Sequence, residues 1–138
     1  MKSLLAAHWA FKKNVETALK KFGLNPGNPK IIIYVSENEG CQQKDIAKNC
    51  CVETSTLSSV LSKMEENGLI ERKRLGNNKR SYAICLAERG WQLLDEVKKQ
   101  TETTANVALT GFTPEEIDAF RDYPNRVVEN LDKANSNK

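Results

Sequence analysis

Apolar residues recur along this chain at helical intervals, interrupted in the middle by two short alternating stretches. Leu4, His8, Phe11, Val15, Ala18 and Phe22 fall on one stripe and predict a helix over residues 2–22, stopped by Gly23. Asn25-Pro26-Gly27-Asn28-Pro29 reads as a turn, with Asn28 as the cap of a second helix and Pro29 in its first position. The run Ile31-Ile32-Ile33-Tyr34-Val35 favours a strand by propensity. The Asn-Pro start and the stop at Gly40 favour a helix instead, and that is the expectation. Residues 42–49 predict a short helix with Ile46 and Ala47 facing inward, and Cys50-Cys51-Val52 makes a tight connection. Leu57, Val60, Leu61 and Met64 stand at i, i+3, i+4 and i+7 of a regular helix over 54–67, closed by Gly68.

Residues 69–75 and 81–86 predict two strands joined by Gly76-Asn77-Asn78-Lys79. A long helix follows over 87–109, with Trp91, Leu94, Thr101 and Ala105 along one side. Thr113-Pro114-Glu115-Glu116 opens a last helix that carries Ile117, Phe120, Val127, Val128 and Leu131; Pro124 should kink it. The polar tail from Asp132 to Lys138 is expected to fray.

Composition adds an ordinary globular balance, 39% hydrophobic and 28% charged residues in 138. The longest apolar run, residues 82–87, is far too short for a membrane span, and His8, Lys12 and Lys13 interrupt what would otherwise resemble a signal peptide. A cytoplasmic protein with no membrane partner is expected, with reduced thiols. Cys41, Cys50, Cys51 and Cys85 form no CxxC pair, and His8 is the only histidine, so no zinc-ligand spacing and no cofactor motif appear. The same scarcity leaves no nucleophilic triad, paired carboxylate site or phosphate-binding glycine loop, and an enzyme is not expected.

Charge is unevenly spread. The net charge is +3. Arg72, Lys73, Arg74, Lys79 and Arg80 against Glu71 put a net +4 into residues 69–80, so the rest sums to −1. A basic hairpin after two short helices joined by a tight turn is the order of a winged helix-turn-helix, and the clustered cations suit a polyanion. On the 54–67 helix, Ser55, Ser58, Ser59 and Ser62 lie within roughly 60° of one direction, opposite the apolar face, with Thr56 and Lys63 at the flanks. Serine and threonine are mediocre helix formers, and a merely solvated face is more often built from Glu, Lys, Gln and Arg. Small hydroxyls let a helix approach DNA closely and bond to phosphates or base edges.

The stretch from Thr54 to Arg72, read as TSTLSSVLSKMEENGLIER, resembles the recognition helix and first wing strand of the multiple antibiotic resistance regulator (MarR) family. Asn78-Lys79-Arg80 and Ile84-Cys85-Leu86-Ala87-Glu88-Arg89-Gly90 are similar to its wing tip and the helix start beyond. With Gln42-Gln43-Lys44-Asp45-Ile46-Ala47, the resemblance spans residues 25–100. It implies a mainly α fold with a small β-hairpin wing. Residues 23–99 would form the DNA-binding winged helix-turn-helix, and 1–22 with 100–138 a helical dimerisation region. It implies a homodimeric, sequence-specific transcriptional regulator, taken as a repressor, on a palindromic double-stranded operator. The 54–67 helix would enter the major groove and the 70–86 wing the minor groove. Gln42, Thr54, Ser55, Thr56, Ser58, Ser59, Ser62, Lys63, Arg72, Arg74, Lys79 and Arg80 are the DNA-contact candidates. Asn78 stands where the family commonly has Asp, and Ser59 where it often has a longer side chain.

Trp9, Tyr34 and Trp91 would line a cleft for a small aromatic effector if one exists, although aromatics at such places are more often core residues. Two other readings stay open: a thiol- or metal-responsive regulator of the same fold, and a winged helix adapted to bind proteins. The family's peroxide sensors carry their thiol near the first helix, where this chain has none.

Overall fold

The computed structural model describes residues 1–77 and 81–136. Its chain divides into two compact units, Met1–Thr104 and Ala105–Lys138. The first unit opens with α1 (Lys2–Leu19), continued by a 3-10 turn (Lys20–Phe22) that ends at Gly23 with φ 73°. Val15 and Leu19 are the buried residues of α1, with Phe11 and Phe22 packed against them. The stripe expected on this helix omitted Leu19, the residue it buries completely.

The isoleucine run is helical, within α2 (Asn28–Glu37). Ile31, Ile32 and Val35 share one face and are fully buried, while Ile33 and Tyr34 are half-buried. Burial of that face outweighs the preference of β-branched residues for strands, a preference worth tenths of a kcal/mol against about 1.5–3 kcal/mol per buried side chain. The expected cap is displaced by one residue: Gly27, at φ 87°, caps the helix and Asn28 is already inside it, nearly fully buried. The helix also stops at Glu37, short of Gly40.

Two short helices follow, α3 (Gln43–Asn49) and α4 (Thr54–Glu66), joined through Cys51, whose φ of 50° is left-handed. Ile46 from α3 and Leu57, Leu61 and Met64 from α4 join the core, and Val60 packs against it. Antiparallel strands β1 (Ile70–Arg74) and β2 (Tyr82–Leu86) are each shorter than expected. Their register sets Ile70 opposite Leu86, Arg72 opposite Ile84 and Arg74 opposite Tyr82. A third edge joins them: Gly40 N–H donates to Ile84 at 3.0 Å and Ile84 N–H to Cys41 at 2.8 Å. Nothing in the pattern of apolar positions announced that bridge.

The helix α5 (Glu88–Ala108) begins in the first unit, where it buries Gly90, Leu94 and Val97. An added Cβ at Gly90 would lie 2.2 Å from the Leu69 carbonyl oxygen, so only glycine permits this approach. In the second unit, α6 (Pro114–Ser136) starts with a reciprocal cap. Thr113 N–H donates to Glu116 Oε2 at 2.8 Å, and Glu116 N–H to Thr113 Oγ1 at 3.2 Å. The helix continues through Pro124 to Ser136, where fraying from Asp132 was expected, and it has no buried residue.

Candidate nucleic-acid interface

The apolar face of α4 pins the helix to the core, which forces the opposite face outward. Thr54, Ser55, Thr56, Ser58, Ser59 and Lys63 are exposed, and Ser62 is half-buried. Several hydroxyls are already engaged: Ser59 Oγ gives its proton to the Thr56 carbonyl at 2.9 Å, and Ser62 Oγ to that of Ser58 at 3.0 Å. Ser58 Oγ accepts from Gln43 Nε2 at 2.7 Å, which ties α3 to α4 across the exposed side of the turn. Donation occupies the hydroxyl hydrogens of Ser59 and Ser62, whereas Ser58, an acceptor here, keeps its own to give. Gln42 is the N-cap of α3, half-buried, and its backbone N–H donates to Asp45 Oδ2 at 3.1 Å.

The basic hairpin separates into engaged and free cations. Arg72 folds back onto α4, where Nη1 meets Glu65 Oε2 at 3.1 Å and both amino groups reach Ser62 Oγ at 3.4–3.5 Å. Lys73 pairs with Glu71 at 2.8 Å, and that hydrogen bond raises its pKa above the ordinary lysine value. Arg74 is exposed at the end of β1. Lys79 and Arg80 lie outside the described residues. Arg72, one of the expected DNA contacts, is thus paired with an acid seven residues back in the sequence.

A helix pair with an outward hydroxyl face beside a hairpin of arginine and lysine is the arrangement of a winged helix-turn-helix. The MarR family model matches residues 24–82, which take in α2, α3, α4 and β1 and end at the first residue of β2. Over those residues the chain is similar to the MarR family.

Its relatives carry the resemblance over most of the chain. YybA of Bacillus subtilis, an uncharacterised helix-turn-helix-type transcriptional regulator, is 27% identical over 120 residues, 87% of this chain and 79% of that protein. The homoprotocatechuate degradative operon repressor of Escherichia coli is 25% identical over 115 residues, 83% of this chain and 78% of its own. A crystal structure described as that of a MarR-family regulator from Listeria monocytogenes complexed with a 26-mer DNA superposes with a TM-score of 0.88. It is 28% identical, and the match covers 94% of this chain and 87% of that one. These relatives carry the names of transcriptional regulators.

The other candidates are scattered over the first unit. Trp9 on α1 is 61% exposed, with Lys13 Nζ 4.7 Å from its ring centre. Tyr34 on α2 is half-buried, and its hydroxyl accepts from Asn49 Nδ2 at 3.2 Å. Trp91 on α5 is exposed. No ring contact joins any two of them among the described residues. Three of the thiols, Cys41, Cys50 and Cys85, are raised rather than activated. Burial pushes Cys41 up to about 11, and the nearby Asp45 carboxylate acts in the same direction. Burial likewise takes Cys50 to about 11, and burial, followed by a hydrogen bond with Glu39, raises Cys85. Among the described residues no three His, Cys, Asp or Glu side chains gather as metal ligands, and no helix is long and apolar enough to cross a membrane.

Arg89 figured in the sequence only as part of the helix start beyond the wing, with no role of its own. Its guanidinium donates to the Asn67 carbonyl at 3.0 Å and to the Phe22 carbonyl at 2.8 Å.

Proposed function

We propose that the chain is a dimeric, sequence-specific DNA-binding repressor that presents α4 to the major groove and its wing to the neighbouring minor groove. The observation that carries this is the composition of α4: a fully buried apolar face and, opposite it, a face of Ser55, Thr56, Ser58 and Ser59 with Lys63 at its end. In this reading Ser55, Thr56 and Ser59 meet base edges, Lys63, Arg74 and Lys79 meet phosphates, and Arg80 enters the minor groove. Arg72 with Glu65 braces the wing against the helix, and Gln42 acts through the start of α3.

Dimerisation follows from uncovered apolar surface. On α1, Leu4, Leu5 and Trp9 are exposed; on α6, Phe120, Tyr123, Val127, Val128 and Leu131 are. A second copy covering such surface presents two α4 helices to one palindrome, with half-sites about one helical turn apart. The protein would then work in the cytoplasm on the chromosome, without catalytic activity. Trp9, Tyr34 and Trp91 are its candidates for sensing a small aromatic effector, in keeping with the degradative-operon name of the Escherichia coli relative. The raised thiols of Cys41, Cys50 and Cys85 do not support thiol-responsive control.

Selection of bound duplexes from a random pool tests the proposal. A palindromic consensus should emerge, and its affinity should fall steeply with salt because several phosphates are neutralised. No binding to any duplex at low salt would refute it.

A further inference from the structure

One guanidinium holds the ends of two helices together. Arg89, in the first turn of α5, is half-buried, and no carboxylate lies within ion-pair distance of it among the described residues. Its charge goes to backbone instead. Nη2 donates to Phe22 O at 2.8 Å, where the 3-10 turn closes α1, and Nη1 to Asn67 O at 3.0 Å, the C-cap of α4. Helix C-termini leave carbonyls unpaired and concentrate partial negative charge, so a cation there satisfies both needs at once. The site is closely built on each side. An added Cβ at Gly23 would come 3.0 Å from Nη2, and Gly90 lets the start of α5 press against the Leu69 carbonyl directly after α4.

We propose that Arg89 is a positioning residue that sets the angle between α1 and α4, and through it the half-site spacing the dimer accepts. The inference rests on the reading above, in which α1 carries part of the dimer surface and α4 enters the groove. A guanidinium is planar and always charged, and its amino groups point in fixed directions, so it holds two carbonyls in one geometry. A lysine ammonium is a single point charge on a flexible stem and holds that geometry only in part.

The experiment uses the full-length protein with a palindromic duplex selected by the wild type and a series lengthened or shortened by one to three base pairs at the centre. Each added base pair turns one half-site by about 34–36° relative to the other. Wild type should lose about tenfold or more in affinity for a one-base-pair change. Arg89→Gln should flatten that loss to about threefold or less, and Arg89→Lys should lie between. Binding to unrelated duplexes at low salt and helical content by circular dichroism should stay at wild-type values, which a general structural defect would not allow. An equally sharp optimum in folded Arg89→Gln overturns the inference and leaves the DNA-binding reading standing. If Arg89→Gln does not fold, a wild-type optimum in Arg89→Lys overturns it. A wild type that binds no duplex removes the reading and the inference together.

Discussion

Helices α4 and α6 carry the same apolar pattern and meet different fates. In α4, Leu57, Leu61 and Met64 are fully buried. In α6, Phe120, Tyr123, Val127, Val128 and Leu131 are 41% to 60% exposed, and no residue is buried. An amphipathic stripe therefore says that a face needs cover, and the chain itself supplies that cover only for α4. The outer faces differ in the opposite sense. That of α6 is filled with charges that pair along the helix, Arg121 with Asp118 and Arg126 with Asp122, each at 3.7 Å. That of α4 is filled with hydroxyls. The charged face of α6 is what solvation alone produces in this chain, so the serines of α4 call for a different explanation.

The sharpest way to break the comparison is truncation on the two stripes. Leu61→Ala should cost about 2–5 kcal/mol of folding stability, because it leaves a cavity in a core where Leu61 has no exposure. Leu131→Ala, at 58% exposure, should leave the melting temperature of dilute protein nearly unchanged. Chemical denaturation at several protein concentrations checks both. Equal losses would mean that α6 is covered within its own chain.

Next comes association. The paired change Val127→Glu with Leu131→Glu should weaken dimerisation about a hundredfold or more, since two large apolar side chains at an interface contribute on the order of 1.5–3 kcal/mol each. Sedimentation at micromolar concentration should then find monomer where wild type is a dimer. A wild-type profile from the double variant would end the case for α6 as an interface.

How far the sequence carried is clearest at single residues. The buried face of α4 was legible because Leu57, Leu61 and Met64 repeat on a helix between clear stops, and α2 was legible once its Asn-Pro start was set against the isoleucines. Leu19 was missed because a strict four-and-three stripe passes over it toward Ala18. The bridge between Cys41 and Ile84 is a backbone pairing across 43 residues, and no local pattern announces such a contact. Arg72 read as a free cation because charge counting cannot see Glu65 and Ser62 waiting on the neighbouring helix. Arg89 was hidden for the same reason, since its partners are main-chain carbonyls, which every residue has. At the candidate site, residue types on a face were readable, and which of them were already engaged was not.

A smaller effect separates the outer faces. Ser55→Ala should change which base is preferred at one position of each half-site, by about 1–3 kcal/mol between best and next-best base, with low-salt affinity preserved. Asp118→Ala on the charged face of α6 should alter no preference. Repeating the duplex selection with each variant decides it, and an unchanged consensus from Ser55→Ala would take that residue out of the groove.

The smallest expected difference concerns two lysines in matching places. Lys63 stands in the last turn of α4 and Lys133 in the last turn of α6, and both are exposed. As cations near helix C-termini they are equivalent, each contributing about 0.3–1 kcal/mol to its helix, so stability alone does not tell them apart. DNA does. If Lys63 neutralises a phosphate, Lys63→Gln should lower the slope of log affinity against log salt by about one for each lysine removed, uniformly across sequences. The consensus should not change, because a phosphate contact positions the protein without reading bases. Lys133→Gln should leave slope and consensus as they are. Titrations of one duplex at four or five salt concentrations resolve a change of that size. A matching drop in both variants would show a general response to lost positive charge, and α4 would then lose its distinction from α6 at this position.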